Sequence, residues 1–151
     1  MVDDGLSIEE LKGQIGVEGP PLVYEIEKGM IRRFAQTVGD LNPLWQNDEY
    51  GAESGFGNII APPTFVLILG FDQIICQLTQ NPSQTVLHGS TELDCYQPIR
   101  PRDIITVTAK IAGVRQRESK IGRMAFVTFN IIYKNQRQEM VAKCRQMAII
   151  R

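Results

Sequence analysis

The sequence predicts a single α+β domain: an antiparallel sheet with one long, apolar helix packed on it. Three observations carry that expectation. The run from Pro62 to Leu78 is apolar on nearly every side, as a helix wrapped by other structure would be. Four stretches after it alternate or run apolar at strand length. Before it, the apolar residues fall at helical spacing. A chain of 151 residues is one domain with a modest core.

Taken in order, Ser7-Ile8-Glu9-Glu10 reads as an N-cap followed by acids in a first helical turn, opening a short helix to about Ile15. Gly16 to Pro21 ends it, so residues 1–21 form an N-terminal helix and lead-in to the domain spanning 1–151. Val23, Tyr24 and Ile26 make a brief strand. From Glu27, Ile31, Phe34, Ala35 and Val38 mark one face of an amphipathic helix, and Gly39 stands where a C-terminal cap belongs. Asn47 to Glu53 suits a short helical turn, closed by the loop Gly55-Phe56-Gly57. Pro62 and Pro63 suit the first turn of the long helix. The strands are Val86–Tyr96, Ile104–Val114, Met124–Tyr133 and Glu139–Ile150. They are separated by Pro98-x-x-Pro101, the polar stretch Arg115–Gly122, and Lys134–Arg137.

Composition removes several functional classes. A formal charge of −1 gives no electrostatic bias toward nucleic acid or a membrane surface. No stretch is long and apolar enough to span a bilayer, and the N-terminus has neither the basic nor the apolar part of a signal peptide, which predicts a cytoplasmic protein. Cys76, Cys95 and Cys144 are scattered, so they read as buried thiols in a reducing compartment. A Cys–His pair with His88 is the functional alternative. One histidine without clustered cysteines offers too few ligands for zinc, and neither metal nor cofactor is expected.

The run Gly39-Asp40-Leu41-Asn42-Pro43-Leu44-Trp45 carries the chemistry. Together with Ile59-Ile60-Ala61-Pro62-Pro63-Thr64-Phe65, His88-Gly89-Ser90-Thr91-Glu92 and Tyr96-Gln97-Pro98-Ile99-Arg100-Pro101-Arg102-Asp103, it resembles the MaoC-like dehydratases and (R)-specific enoyl-CoA hydratases, in their FAS1-like dehydratase branch. The resemblance runs from about Val23 to the C-terminus. It implies the hot-dog fold, a sheet wrapped around a central helix. It also implies pairing into a homodimer or a heterodimer with another hot-dog subunit, because an isolated hot-dog sheet leaves an edge uncovered.

In the resembled family an Asp and a His five residues later share the base and proton-donor roles, and amides at the start of the central helix polarise the thioester. Carried over by position, Asp40 holds and activates water and Asn42 orients the loop or the water. Asp-x-Asn-Pro after a helix is also a good turn in its own right, since Asx side chains accept from nearby backbone N–H groups. The family's His position is occupied by Trp45, whose indole only donates. His88 is the candidate stand-in, against the alternative of a strand histidine bonded to a neighbour. Pro62 and Pro63 lack N–H groups, so Thr64 and Phe65 would supply the polarising amides. Trp45, Pro63, Thr64 and Phe65 are the expected substrate-binding residues, with Phe65, Leu69, Phe71 and Phe126 in the core. Arg100 and Arg102 are candidates for the phosphates of a CoA or phosphopantetheine arm.

The function these residues imply is a unit interconverting (3R)-hydroxyacyl and trans-2-enoyl thioesters of CoA or acyl carrier protein. Two alternatives stand beside it. One is a non-catalytic acyl-thioester-binding subunit of a heteromeric dehydratase, as in the mycobacterial 3-hydroxyacyl-ACP dehydratases. The other is a hot-dog thioesterase in which Asp40 directs water at the carbonyl.

Overall fold

The computed structural model describes residues 8–71, 74, 78 and 84–151. Its frame is one five-stranded antiparallel sheet in the order β1-β3-β4-β5-β2. The strands are β1 (Leu22–Glu25), β2 (Val86–Cys95), β3 (Ile104–Ser119), β4 (Gly122–Lys134) and β5 (Met140–Ile150). Alternation along β4 sets the two faces. Ala125, Val127, Phe129, Ile131 and Tyr133 are buried on the inner face, while the residues between them are half-buried on the outer one. Among the described residues β2 pairs only with β5 and is an edge strand.

Helices cover the inner face. α1 (Ile8–Gly13) buries Leu11, and α2 (Lys28–Thr37) buries Ile31 and Ala35. α2 ends where the sequence expects. Gly39 has φ +73°, its N–H donates to Gln36 O (3.2 Å), and the Asp40 N–H donates to Ala35 O (2.9 Å). These are the two bonds of a Schellman cap, which requires a left-handed residue and so favours glycine. α3 (Asp48–Glu53) is capped by Asn47, whose side chain accepts from Tyr50 N at 3.0 Å. A Cβ on Gly51 would lie 2.5 Å from Ile59 N and 2.6 Å from Asn58 C, so the helix packs flush on that backbone.

The central apolar segment is built differently at its start from the continuous helix expected. Pro63–Ile68 is a 3-10 turn, and Leu69 is extended. Gly70 has φ +79° and a Cβ there would meet Val107 Cγ1 at 3.2 Å, so the chain redirects where it comes closest to the sheet. Helical conformation is described again at Phe71, Ile74 and Leu78. Phe65, Val66, Leu69, Ile74 and Leu78 share one buried cluster with the inner faces of β3, β4 and β5. Phe65 is fully buried, its ring edge-on to Phe34 at 5.7 Å. Phe71, expected in the core, is 40% exposed, and Phe126 lies half-buried on the outer face.

The polar stretch Arg115–Gly122 does not separate β3 from β4. Both strands run through it, pairing from Thr106↔Lys134 to Ser119↔Gly122 around a two-residue turn at Lys120-Ile121. Beyond Gln116 the hairpin extends past the core, with Arg117, Glu118, Ser119, Gly122 and Arg123 all exposed, so the hydrophobic alternation that marks a strand is lost.

Candidate functional site

The Asp40–Trp45 loop is positioned by its own side chains. Asp40 Oδ1 accepts from Asn42 N (3.1 Å), and Asn42 Oδ1 accepts from Leu44 N (3.0 Å) as the cap of a 3-10 turn, Pro43–Trp45. Two successive Asx turns thus fold the motif. Gln46 ties the loop to α2: its Nε2 donates to Asp40 O (2.6 Å), and its own carbonyl accepts from Arg32 Nε (3.3 Å). Asp40 and Asn42 are both half-buried. Among the described residues no donor meets the second carboxylate oxygen of Asp40.

The loop delivers Trp45 to the core, 9% exposed. Its indole forms one wall of an apolar cavity of about 270 Å³, with Phe56, Pro62, Pro63, Tyr96 and Ile99 among the other walls. Trp45 Nε1 is buried and, among the described buried side-chain atoms, is the one without a hydrogen-bond partner. Arg100 braces the cavity's rim by donating from Nη1 to the Phe56 carbonyl. The turn carrying Arg100 is pinned by buried Asp103, whose Oδ2 accepts from Arg100 N (2.9 Å) and Oδ1 from Gln136 Nε2 (3.1 Å).

The polarising amides expected at the start of the central segment reduce to one. Pro62 and Pro63 have none, and the Phe65 N–H donates to Pro62 O at 2.9 Å. That leaves the exposed Thr64, outside the cavity lining. Phe65 faces the core, while its neighbour Val66 lines the cavity in its place.

His88 stands elsewhere. It lies on β2 opposite Ala148, and its Nε2 is 2.7 Å from Thr91 Oγ1. It lines a separate apolar cavity of about 320 Å³ with Phe71, Ile74 and Phe129. Cys95, at the Trp45 cavity, lies seven residues further along the same strand, a separation of roughly 20 Å. Among the described residues no hydrogen bond joins His88 to Asp40.

Arg100 and Arg102 diverge as well. Arg102 is exposed, holds φ +74° and faces an open depression of about 730 Å³ shared with Glu25, Glu27 and Lys28.

The cysteines divide. Cys95 is exposed at the end of the edge strand, against the buried position expected, and Cys144 is buried. Burial pushes the Cys144 thiol up to about 11 and raises that of Cys95, neither of which suits a nucleophile near neutral pH. Cys76 lies outside the described residues. Among the described residues no helix is long and apolar enough to cross a membrane, and no cluster of His, Cys, Asp and Glu could hold a metal.

The motif loop's folding role was legible in its Asx residues. The cavity walls Phe56, Tyr96 and Ile99 were not, because they come from loops whose sequence carries no periodic signal.

Residues 13–144 match the model of the FAS1-like dehydratase domain region. A UPF0336 protein of Streptomyces avermitilis is 35% identical over 107 residues, covering 67% of this chain and 71% of that protein. The R-hydratase PhaJ1 from Pseudomonas aeruginosa superposes with a TM-score of 0.72 at 18% identity, covering 95% of this chain and 84% of its own. A chain of the C-terminally truncated HadBC (3R-hydroxyacyl-ACP dehydratase) complex from Mycobacterium tuberculosis gives 0.76 at 19% identity, covering 90% and 96%. At such identities these two structures establish the fold, which is the hot-dog.

Proposed function

This chain belongs to the FAS1-like dehydratase family, and on that premise we propose that it is the acyl-thioester-binding member of a hot-dog hydratase/dehydratase assembly whose partner subunit supplies the acid–base pair. The assembly interconverts (3R)-hydroxyacyl and trans-2-enoyl thioesters. The observation that carries this reading is Trp45, a buried indole at the position of the family's histidine and a wall of the apolar cavity. An indole N–H has no lone pair to take a proton, so it cannot activate water.

Three further features support the same reading. Asp40 Oδ1 and Asn42 Oδ1 are spent on the backbone of their own loop. Of the amides that would polarise a thioester carbonyl, Pro62 and Pro63 supply none, that of Phe65 is used within the turn, and that of Thr64 lies outside the cavity lining. The cavity itself is apolar and suits an acyl segment. β2 presents a free edge for a second hot-dog subunit, and the HadBC neighbour is a complex of such chains.

A second reading, that the chain hydrates enoyl thioesters unaided, draws support from Asp40, whose other carboxylate oxygen has no donor among the described residues.

Binding is open to direct test, because Trp45 is the chain's single tryptophan. Titration with medium- and long-chain acyl-CoA should produce a saturable change in its emission, and CoA alone should not. No change with any acyl chain, or an equal change with CoA alone, contradicts an acyl site at this cavity.

A further inference from the structure

The outer face of the sheet carries a trough that the acyl site does not use. One rung of side chains crosses four strands: Ser90 in β2 is opposite Met147 in β5, Met147 is opposite Thr128 in β4, and Thr128 is opposite Gly113 in β3. Three of the four are small, so the rung is a floor. Both outer strands lose register beside it, between His88 and Ser90 in β2 and between Ile111 and Gly113 in β3. Bulges bend a strand and re-aim its side chains, and they concentrate next to binding sites. The first depends on Gly89, where a Cβ would lie 2.8 Å from Met147 Cε and 3.0 Å from Met147 O.

The walls rise from the neighbouring rungs. Arg115 and Phe126 are opposite one another on one side, and Glu92 and Arg145 on the other. The open depression between them measures about 420 Å³, within the range of small-molecule sites. Neighbouring rungs on one face are roughly 7 Å apart, so both guanidiniums can reach over the floor from opposite sides. Among the described residues, none of the side chains of Ser90, Glu92, Arg115, Thr128 and Arg145 makes a hydrogen bond or ion pair with the protein. Two cations, two hydroxyls and one carboxylate therefore face a common space with their bonding capacity unused.

We propose that this trough binds a small oxyanion ligand, a phosphate ester or a carboxylate, with an apolar body. Arg115 and Arg145 hold the anion, each guanidinium presenting donors in the planar fork that fits carboxylate and phosphate oxygens. The Ser90 and Thr128 hydroxyls donate from the floor, and Phe126 and Met147 cover the apolar body. Glu92 accepts from a hydroxyl or ammonium on the ligand and sets its orientation. The site is on the face of the sheet opposite the Trp45 cavity, so it stands or falls independently of the acyl-binding reading.

The test is a titration of the isotopically labelled full chain with phenyl phosphate and, separately, benzoate, followed by amide chemical shifts. Saturable shifts at Ser90, Gly113, Thr128 and Met147 are expected, and the tighter probe distinguishes phosphate ester from carboxylate. Arg115→Ala and Arg145→Ala should each weaken binding roughly tenfold or more. Arg115→Lys keeps the charge but loses the fork and should fall between. Arg117→Ala, on the same face outside the trough, should leave affinity unchanged. The proposal is overturned by absence of saturable shifts at the floor residues, by shifts that persist in the Arg115→Ala/Arg145→Ala double variant, or by an equal loss in Arg117→Ala, which would mean diffuse attraction to positive charge.

Discussion

Replacing Trp45 by Phe sets two opposing effects against each other at one position. The indole is 91% buried by its 9% exposure, and its Nε1 has no partner. Leaving a buried donor unsatisfied costs about 1–3 kcal/mol, and phenylalanine removes that donor. The smaller ring also leaves a void of about 40 Å³, which at about 24 cal/mol per Å³ costs about 1 kcal/mol. The lost transfer energy of the removed atoms adds about 1 kcal/mol, so the balance runs from a loss of about 1 kcal/mol to a gain of about 1 kcal/mol, although a large aromatic residue has been truncated in the core. Trp45→Ala removes the same donor but opens a far larger void, and against the about 3–5 kcal/mol usual for such a truncation it should remain a clear net loss. Urea unfolding followed by far-ultraviolet circular dichroism measures both variants without relying on the lost fluorophore. A loss of more than about 2 kcal/mol in Trp45→Phe would mean instead that the indole N–H is bonded in solution.

Four further outcomes follow from the same structure. Phe65→Ala should destabilise by about 3–5 kcal/mol, since the ring is fully buried against Phe34, and thermal unfolding reads the loss directly. Asp40→Asn keeps the oxygen that accepts from Asn42 N, so the unfolding midpoint should hardly move, whereas Asp40→Ala should lose about 0.5–2 kcal/mol as a capping loss does. Lys28 and then Arg32 hold the Asp48 carboxyl below its usual range, so the contribution of these ion pairs is present above the ordinary carboxylate pKa and is lost as pH falls through the lowered value; carboxyl-carbon NMR should find Asp48 titrating below the ordinary aspartate range, and Lys28→Ala should move it back up. The Cys144 thiol, pushed up to about 11, should label with thiol reagents far more slowly than exposed Cys95 at neutral pH, as peptide mass spectrometry would show.

How much of this was legible in the sequence depended on whether a residue's neighbours in the chain were also its neighbours in space. The α2 helix and its Gly39 cap, the turn-forming oxygens of Asp40 and Asn42, and the cores of all four long strands are local features, and the spacing of residues announced them. The break at Leu69-Gly70 was not announced. A glycine in an apolar run reads as a small helical residue, and only its approach to Val107 on β3 explains its left-handed backbone. The β3–β4 hairpin tip was invisible for the opposite reason: its residues from Arg117 to Arg123 are exposed, so no alternation was needed. The sequence also offered His88 as a partner for Asp40, since a strand position fixes neither which end of the sheet a side chain occupies nor what stands across from it. In the fold His88 bonds Thr91, the neighbour-bonded alternative. The outer trough is a product of two bulges, and a bulge leaves no period to read.

The most direct test of the functional account is enoyl-thioester hydration by the purified chain alone, followed by loss of enoyl absorbance, and then with a hot-dog partner that carries an intact Asp-x-Asn-Pro-x-His motif. Acyl-CoA binding without turnover is expected for the chain alone, and turnover once the partner is present. Asp40→Asn in this chain should leave the assembled activity unchanged. Hydration by the chain alone that falls roughly 100-fold or more in Asp40→Asn would contradict this, and would make Asp40 the base of a site rebuilt around Trp45.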